Sequence, residues 1–277
     1  MDLILKDGSK ITVEDGIRAI DAVKRIGGEL YKKALVIKAN DKFVSFNDTL
    51  SGDTKIEVFT FEDETGRDAY RHTTSHILAH AVKNIFPTAL LAIGPAISNG
   101  FYYDFEFKTP ITSEDLERIE TEMSHIIKAD LPIERITMSR DEAEKLIKRM
   151  KQTYKLELLS DIPEGEEISF YKQGDFIDLC SGPHLSSTGK VKAFKLTSLT
   201  GAYWRGNEKN KMLSRIYGTS FDKKEALEQY LKEVEEAKQR DHNKLGRELG
   251  IFMTDENIGQ GLPLLMPKGA RIIQTLQ

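Results

Sequence analysis

MDLILKDGSKITVEDGIRAIDAVKRIGG (residues 1–28) decides the architecture of the first part of the chain. Leu3 and Leu5 alternate with polar residues, Asp7-Gly8 supplies a turn, and Ile11 and Val13 alternate again. This period of two marks strands with one buried face. Setting Leu5 opposite Ile11 and Leu3 opposite Val13 predicts a hairpin with a three-residue loop. Ile17, Ile20, Val23 and Ile26 then recur at near-helical spacing, and Gly27-Gly28 stops the helix. More strands are expected at residues 34–37, 43–46 and 55–60. Two strands, a helix and further strands form the order of a ubiquitin-like β-grasp, so the fold class is α+β.

Outward from this module, residues 61–66 (FEDETG) form a short acidic bridge. A helix is expected over 67–86, broken by Pro87, with strands at 91–93 and 100–107. Thr112 caps a helix ending near Ala129, and Ser139 with Glu142 forms the capping box of another helix running to about Gln152. A strand-rich stretch is expected over 154–221, then one highly charged helical run over 222–249 whose polarity suits a connector. Another helical pattern begins near Ala270.

At 277 residues the chain has room for two or three domains, and 39% hydrophobic with 30% charged residues describes a globular protein with real cores. No apolar run approaches the ~20 residues that span a bilayer, and no secretory leader is expected at the N-terminus. The single cysteine excludes an internal disulfide framework and suits a reducing cytoplasm. A net charge of −4 gives no global basic field, which leaves a local basic face as the route to a nucleic acid.

Chemistry concentrates in two motifs. In RHTTSHILAH, His72 and His76 share one helix face, with His80 continuing the series, so spacing alone allows 72/76 or 76/80 as the working pair. In FIDLCSGPH, a strand would point Asp178 and Cys180 to one side, and Ser181-Gly182-Pro183 would turn His184 back toward them. Three imidazoles and a thiol make a zinc donor set; the same groups can hold a water and a substrate without metal. Thr73, Thr74 and Ser75 stand between the histidines, so the glutamate of a His-Glu-x-x-His protease is missing. The turn-rich stretch 92–103 reads either as a cavity-lining loop or as a plain hairpin. Trp204-Arg205 reads either as a base-stacking pair or as core packing, and Lys145, Lys148, Arg149, Lys151 and Lys155 form a basic cluster.

These motifs resemble the N-terminal half of bacterial threonyl-tRNA synthetases across essentially the whole chain. Residues 1–61 resemble the TGS domain. Residues 62–225 resemble the tRNA editing domain through RHTTSHILAHAV, AIGPAISNGFYYDF, YKLELL, DLCSGPH, GAYWRGN and RIYGTSF. Residues 226–245 would be a helical connector, and RDHNKLGRELGIF with GLPLLMPKGA would open the class II catalytic domain, in truncated form over 246–277.

The resemblance implies an editing hydrolase acting on seryl-tRNA(Thr), with the aminoacylated 3' end of tRNA(Thr) as partner and a cytoplasmic location. It implies His72, Lys155 and Asp178 as catalytic residues working on water, and His76, Cys180 and His184 as substrate-binding residues. No cofactor is required for the editing step, and zinc at His72, His76, Cys180 and His184 stays an option. ATP, magnesium and a separate zinc belong to the catalytic part of the family, whose motifs this sequence lacks, as does the homodimer interface; the chain is expected to be a monomeric fragment. The alternatives are a non-catalytic tRNA-binding or regulatory module and a free-standing editing protein.

Overall fold

The computed structural model describes every residue except Glu256, Gln260 and Gln277. Its elements divide into two compact units, Met1–Asp222 and Lys223–Gln277. The larger unit opens with β1 (Asp2–Ile4), β2 (Lys10–Thr12), β3 (Ile17–Arg18), α1 (Ala19–Ile26), α2 (Gly28–Lys33), β4 (Val36–Ala39), β5 (Lys42–Val44), β6 (Thr49–Leu50) and β7 (Thr54–Phe59). The sheet order is β2-β1-β7-β4-β5, with β1 and β7 parallel and the other pairs antiparallel. Leu3, Ala19, Ala22, Val23, Ile37 and Ile56 form the dry centre between this sheet and α1. This is the expected β-grasp.

The first hairpin corrects the expected register. Leu3 faces Ile11, not Val13, and the three-residue loop Lys6-Asp7-Gly8 closes between Leu5 and Ser9. Gly8 adopts φ +83, the left-handed position that such loops need. The slip is two residues, so each side chain keeps its face. Gly27 does end α1, but the chain at once starts the short helix α2.

The unit continues with α3 (Glu64–Ile85), β8 (Leu90–Leu91), β9 (Ala96–Ile97), β10 (Gly100–Glu106), α4 (Ser113–Lys128), β11 (Ile133–Met138), α5 (Arg140–Met150), α6 (Thr153–Asp161), β12 (Ile168–Gln173), β13 (Phe176–Leu179), β14 (Ala193–Tyr203) and β15 (Met212–Phe221). One sheet runs β14-β15-β10-β8 with β9 also on β10, and a second, antiparallel sheet runs β11-β12-β13. Both capping boxes, at Thr112 and Ser139, are present. The strand-rich reading of 154–221 is overturned at its start: Thr153–Asp161 is helical, with Tyr154, Lys155 and Leu159 on its buried side.

Helix α3 organises the site. It is buried almost all round, with Thr73, Thr74 and Ser75 wholly inaccessible. Buried hydroxyls need partners. Thr74 donates to the Tyr70 carbonyl at 2.9 Å and lies 3.0 Å from Ser220, while Ser75 lies 2.6 Å from the Gly94 carbonyl. The polar run that separates the histidines thus stitches the helix to β15 and to the chain before β9.

In the smaller unit, the single expected charged run is two helices, α7 (Lys224–Gln239) and α8 (His242–Glu248). Asp241 caps the second, accepting from the Lys244 N–H at 2.9 Å, and so breaks the run. The described residues end with β16 (Phe252–Thr254), β17 (Pro263–Leu265) and α9 (Pro267–Leu276). No helix among the described residues is long and apolar enough to cross a membrane.

Candidate active site

His72 and His76 lie one turn apart on α3, and β13 delivers Asp178 and, just beyond its end, Cys180. The turn through Gly182 then brings His184 back to the same place. Ligand atoms of His72, His76, Cys180 and His184 all lie within 4.8 Å of one another. Cys180 Sγ is 3.3 Å from His72 Nε2, 3.3 Å from His184 Nε2 and 3.2 Å from the Gly182 N–H. The His184 ring centre is 4.3 Å from those of His72, His76 and Tyr171.

Beside this cluster sits a buried ion pair, with two further groups on its carboxylate. Lys155 Nζ, on α6, lies 2.6 Å from Asp178 Oδ1. The Tyr103 hydroxyl, on β10, donates to Asp178 Oδ2 at 2.6 Å, and His76 Nε2 approaches the same oxygen at 3.8 Å. Asp178 is 1% exposed and Lys155 4% exposed. Such a pair survives burial because each charge has a close partner and Asp178 has a further donor.

Burial governs the imidazoles. It pushes His72 down to about 4, with the Lys155 ammonium adding to the effect. Burial and the neighbouring rings hold His76 well below the ordinary imidazole range, and burial does the same to His184. Burial pushes the Cys180 thiol up to about 12. At neutral pH the cluster is therefore three neutral rings and a protonated thiol, beside one ammonium–carboxylate pair.

The sequence-derived residues are all brought together, in a pairing that spacing did not reveal: His72 stands at Cys180, and His76 is the imidazole at Asp178. His80 is turned away. It stacks on Phe176 at 5.1 Å and accepts from Gln173, so the pair gathered with Cys180 and His184 is 72/76. The basic cluster separates, with Lys145, Lys148, Arg149 and Lys151 exposed and Lys155 alone buried. Trp204 is core: it packs on Tyr154 at 5.0 Å and donates to Glu157 at 2.8 Å, while Arg205 is held by Asp161 at 2.6 Å. A cleft of about 580 Å³ opens beside the cluster, with His184, Tyr171, Pro183 and Arg135 on one side and Phe43 and Phe46 of the N-terminal module on the other.

Comparison with known proteins joins these features. Residues 1–60 match the TGS domain, and residues 168–217 match the second additional domain of threonyl and alanyl tRNA synthetases. The chain is 55% identical over 277 residues to a threonine--tRNA ligase of Clostridium tetani, covering 100% of this chain and 43% of that protein. It is 56% identical over 275 residues to the threonine--tRNA ligase of Acetivibrio thermocellus, again covering 43% of that protein. Over essentially its whole length the chain is similar to part of these threonine--tRNA ligases. It spans less than half the length of these relatives.

Two residues of the site lie inside the quoted motifs without being singled out by them. Tyr103 follows from β10, where Phe101, Tyr103 and Phe105 share the wholly buried face; a phenol in that row needs a polar partner, and Asp178 is it. Thr73 binds His184 Nδ1 at 3.1 Å and the Leu185 N–H at 2.9 Å, although the sequence offers it only as a filler between histidines. The turn-rich stretch holds the hairpin of β9 and β10, the plainer of its two readings. A Cβ on Gly94 would lie 2.0 Å from the Tyr103 ring, so the glycine lets that ring reach Asp178.

Proposed function

We propose that this chain hydrolyses the ester of tRNA(Thr) mischarged with serine, releasing serine and free tRNA. The observation that carries the reading is the buried Lys155–Asp178 pair set against three neutral imidazoles. Ester hydrolysis needs a base for the water and positive charge for the oxyanion of the tetrahedral intermediate. His72 and Asp178, with Lys155, orient and deprotonate the water, and the Lys155 ammonium stabilises the developing negative charge. His76, Cys180 and His184 shape the pocket and hold the terminal ribose or the seryl group.

The biological need follows from size. A pocket built for threonine holds serine at a loss of only ~1–3 kcal/mol, roughly 10–200-fold, so errors are removed at a second site. That site can refuse the larger amino acid by crowding, and the rings around His184 are crowded. The cleft beside His184 supports a tRNA partner, since a single-stranded end could lie there against Phe43, Phe46 and Tyr171. The wider assignments belong to the same proposal: an editing domain over 62–225, a connector over 226–245 and the opening of a class II catalytic domain over 246–277, with threonylation by ATP and magnesium carried out by the whole synthetase.

The His3Cys donor set and its size fit a divalent ion, and His72, His76, Cys180 and His184 would hold it. Such an ion would supply Lewis-acid polarisation of a bound water. The roles given above to Lys155 and Asp178 do not pass through it. Incubation with seryl- and threonyl-tRNA(Thr) tests the proposal. Selective release of serine supports it, and tRNA binding with both esters intact would support the non-catalytic module.

A further inference from the structure

We propose that Thr73 is a positioning residue that fixes the tautomer of His184 and, through the Cys180 thiol, that of His72. The argument is a count of hydrogens. The Thr73 hydroxyl has one to give. Its oxygen already accepts the Leu185 N–H at 2.9 Å, and His184 Nδ1 lies 3.1 Å away. A threonine inside a helix usually gives its hydrogen to the carbonyl four residues back, as the adjacent Thr74 does to Tyr70. Among the described residues, Thr73 makes no such bond, and its hydroxyl has one acceptor within reach, His184 Nδ1. The hydroxyl therefore donates, Nδ1 carries the lone pair, and the proton of neutral His184 is on Nε2.

The direction then propagates. His184 Nε2–H points at Cys180 Sγ, 3.3 Å away, and the Gly182 N–H also donates to that sulfur at 3.2 Å. With two donors already on the sulfur, the thiol hydrogen goes to the remaining neighbour, His72 Nε2 at 3.3 Å. His72 then carries its own proton on Nδ1. One directed chain runs from the Leu185 N–H through Thr73, His184 and Cys180 to His72.

The consequence is that His72 Nε2 presents a lone pair, occupied at rest by a weak thiol donor. A substrate water can displace the thiol and give its proton to that nitrogen. If the hydroxyl of Thr73 is lost, the proton of His184 is free to move to Nδ1. Its Nε2 then competes for the thiol hydrogen, and His72 is no longer held in the tautomer that can act as a base. This kinetic consequence rests on the editing reading above; the tautomers themselves do not.

The test is 15N–1H correlation spectroscopy of the imidazoles in the wild-type 277-residue chain after chelation, with deacylation of seryl-tRNA(Thr) measured alongside. The expected result is His184 protonated at Nε2 and His72 at Nδ1. His184 protonated at Nδ1 in the metal-free protein overturns the inference, as would an ion held through chelation on His184 Nε2, which requires the same Nδ1 proton. For the kinetic part, Thr73→Val is expected to lower kcat at least tenfold with KM changed less than twofold, and Thr73→Ser to keep kcat within threefold. Equal losses in the two variants overturn the positioning role. If Thr73→Val does not fold, the wild-type tautomers and Thr73→Ser still decide the matter. Correct tautomers in a protein that releases no serine would sink the editing reading and leave the hydrogen-bond chain standing.

Discussion

Lys155 Nζ lies 2.6 Å from Asp178 Oδ1, and the two side chains are only 5% and 1% exposed. Helix α6 and strand β13 are thus joined by a charge pair in the driest part of the site. Removing one partner strands the other charge away from water, which typically costs ~3–5 kcal/mol. Lys155→Met is therefore expected to lower the unfolding free energy by about that amount. Lys155→Met/Asp178→Leu should cost less than the sum of the single changes. Urea denaturation of the four proteins checks this, and additive losses would contradict direct coupling.

Gly182 combines φ +73 with a Cβ position 2.1 Å from the Tyr171 hydroxyl. Gly182→Ala must both strain the backbone and displace Tyr171, whose ring centre is 4.3 Å from that of His184. A loss of ~1–3 kcal/mol is expected from the backbone alone, together with slower deacylation. An alanine variant with unchanged stability and rate would show that the turn does not position His184.

Stability should fall as acid is added, before the carboxylates titrate. Burial depresses His72 to about 4 and holds His76 and His184 well below 6.5. In the unfolded chain the same rings take protons near pH 6.5. A depressed folded pKa means that stability is fully present above the unfolded value and declines as pH drops from 6.5 toward the folded values. Each ring contributes a slope approaching ~1.4 kcal/mol per pH unit in that window. Urea midpoints at neutral and mildly acidic pH measure it, and a flat profile would contradict neutral buried imidazoles.

His80 stacks on Phe176 and bonds Gln173, on the side of α3 turned away from Cys180. His80→Gln is accordingly expected to keep seryl-tRNA deacylation within about threefold, since the ring's contacts are to Phe176 and Gln173 and not to Cys180 or Asp178. His76→Gln should reduce it far more. A larger loss at His80 than at His76 would reverse the choice of pair.

The sequence made the outline of this molecule legible where local signals agree with tertiary demands. Alternation and a glycine stop delimited the strands and α1 of the N-terminal module, and Ser139 with Glu142 announced α5. The hairpin register slipped by two residues because a period-two pattern is blind to even shifts. YKLELL reads as a strand because its apolar residues alternate, yet it folds as α6 because Lys155 and Leu159 both face inward one helical turn apart. The histidines and Cys180 were legible as a group. Their pairing was not, because it depends on where β13 crosses α3. Tyr103 and Thr73 carry ordinary residue types whose importance comes only from the partners that the fold brings to them.

The most direct measurement is the rate of serine release from seryl-tRNA(Thr) by the 277-residue chain, in EDTA, beside its Lys155→Ala and His72→Ala variants and a threonyl-tRNA(Thr) control. The account predicts rapid release of serine that survives chelation, little release of threonine, and losses of roughly 10²–10⁴-fold in each variant, the range typical of general acid–base and oxyanion contributions. Full rates in both variants, or esters left intact by the wild-type chain, would contradict it.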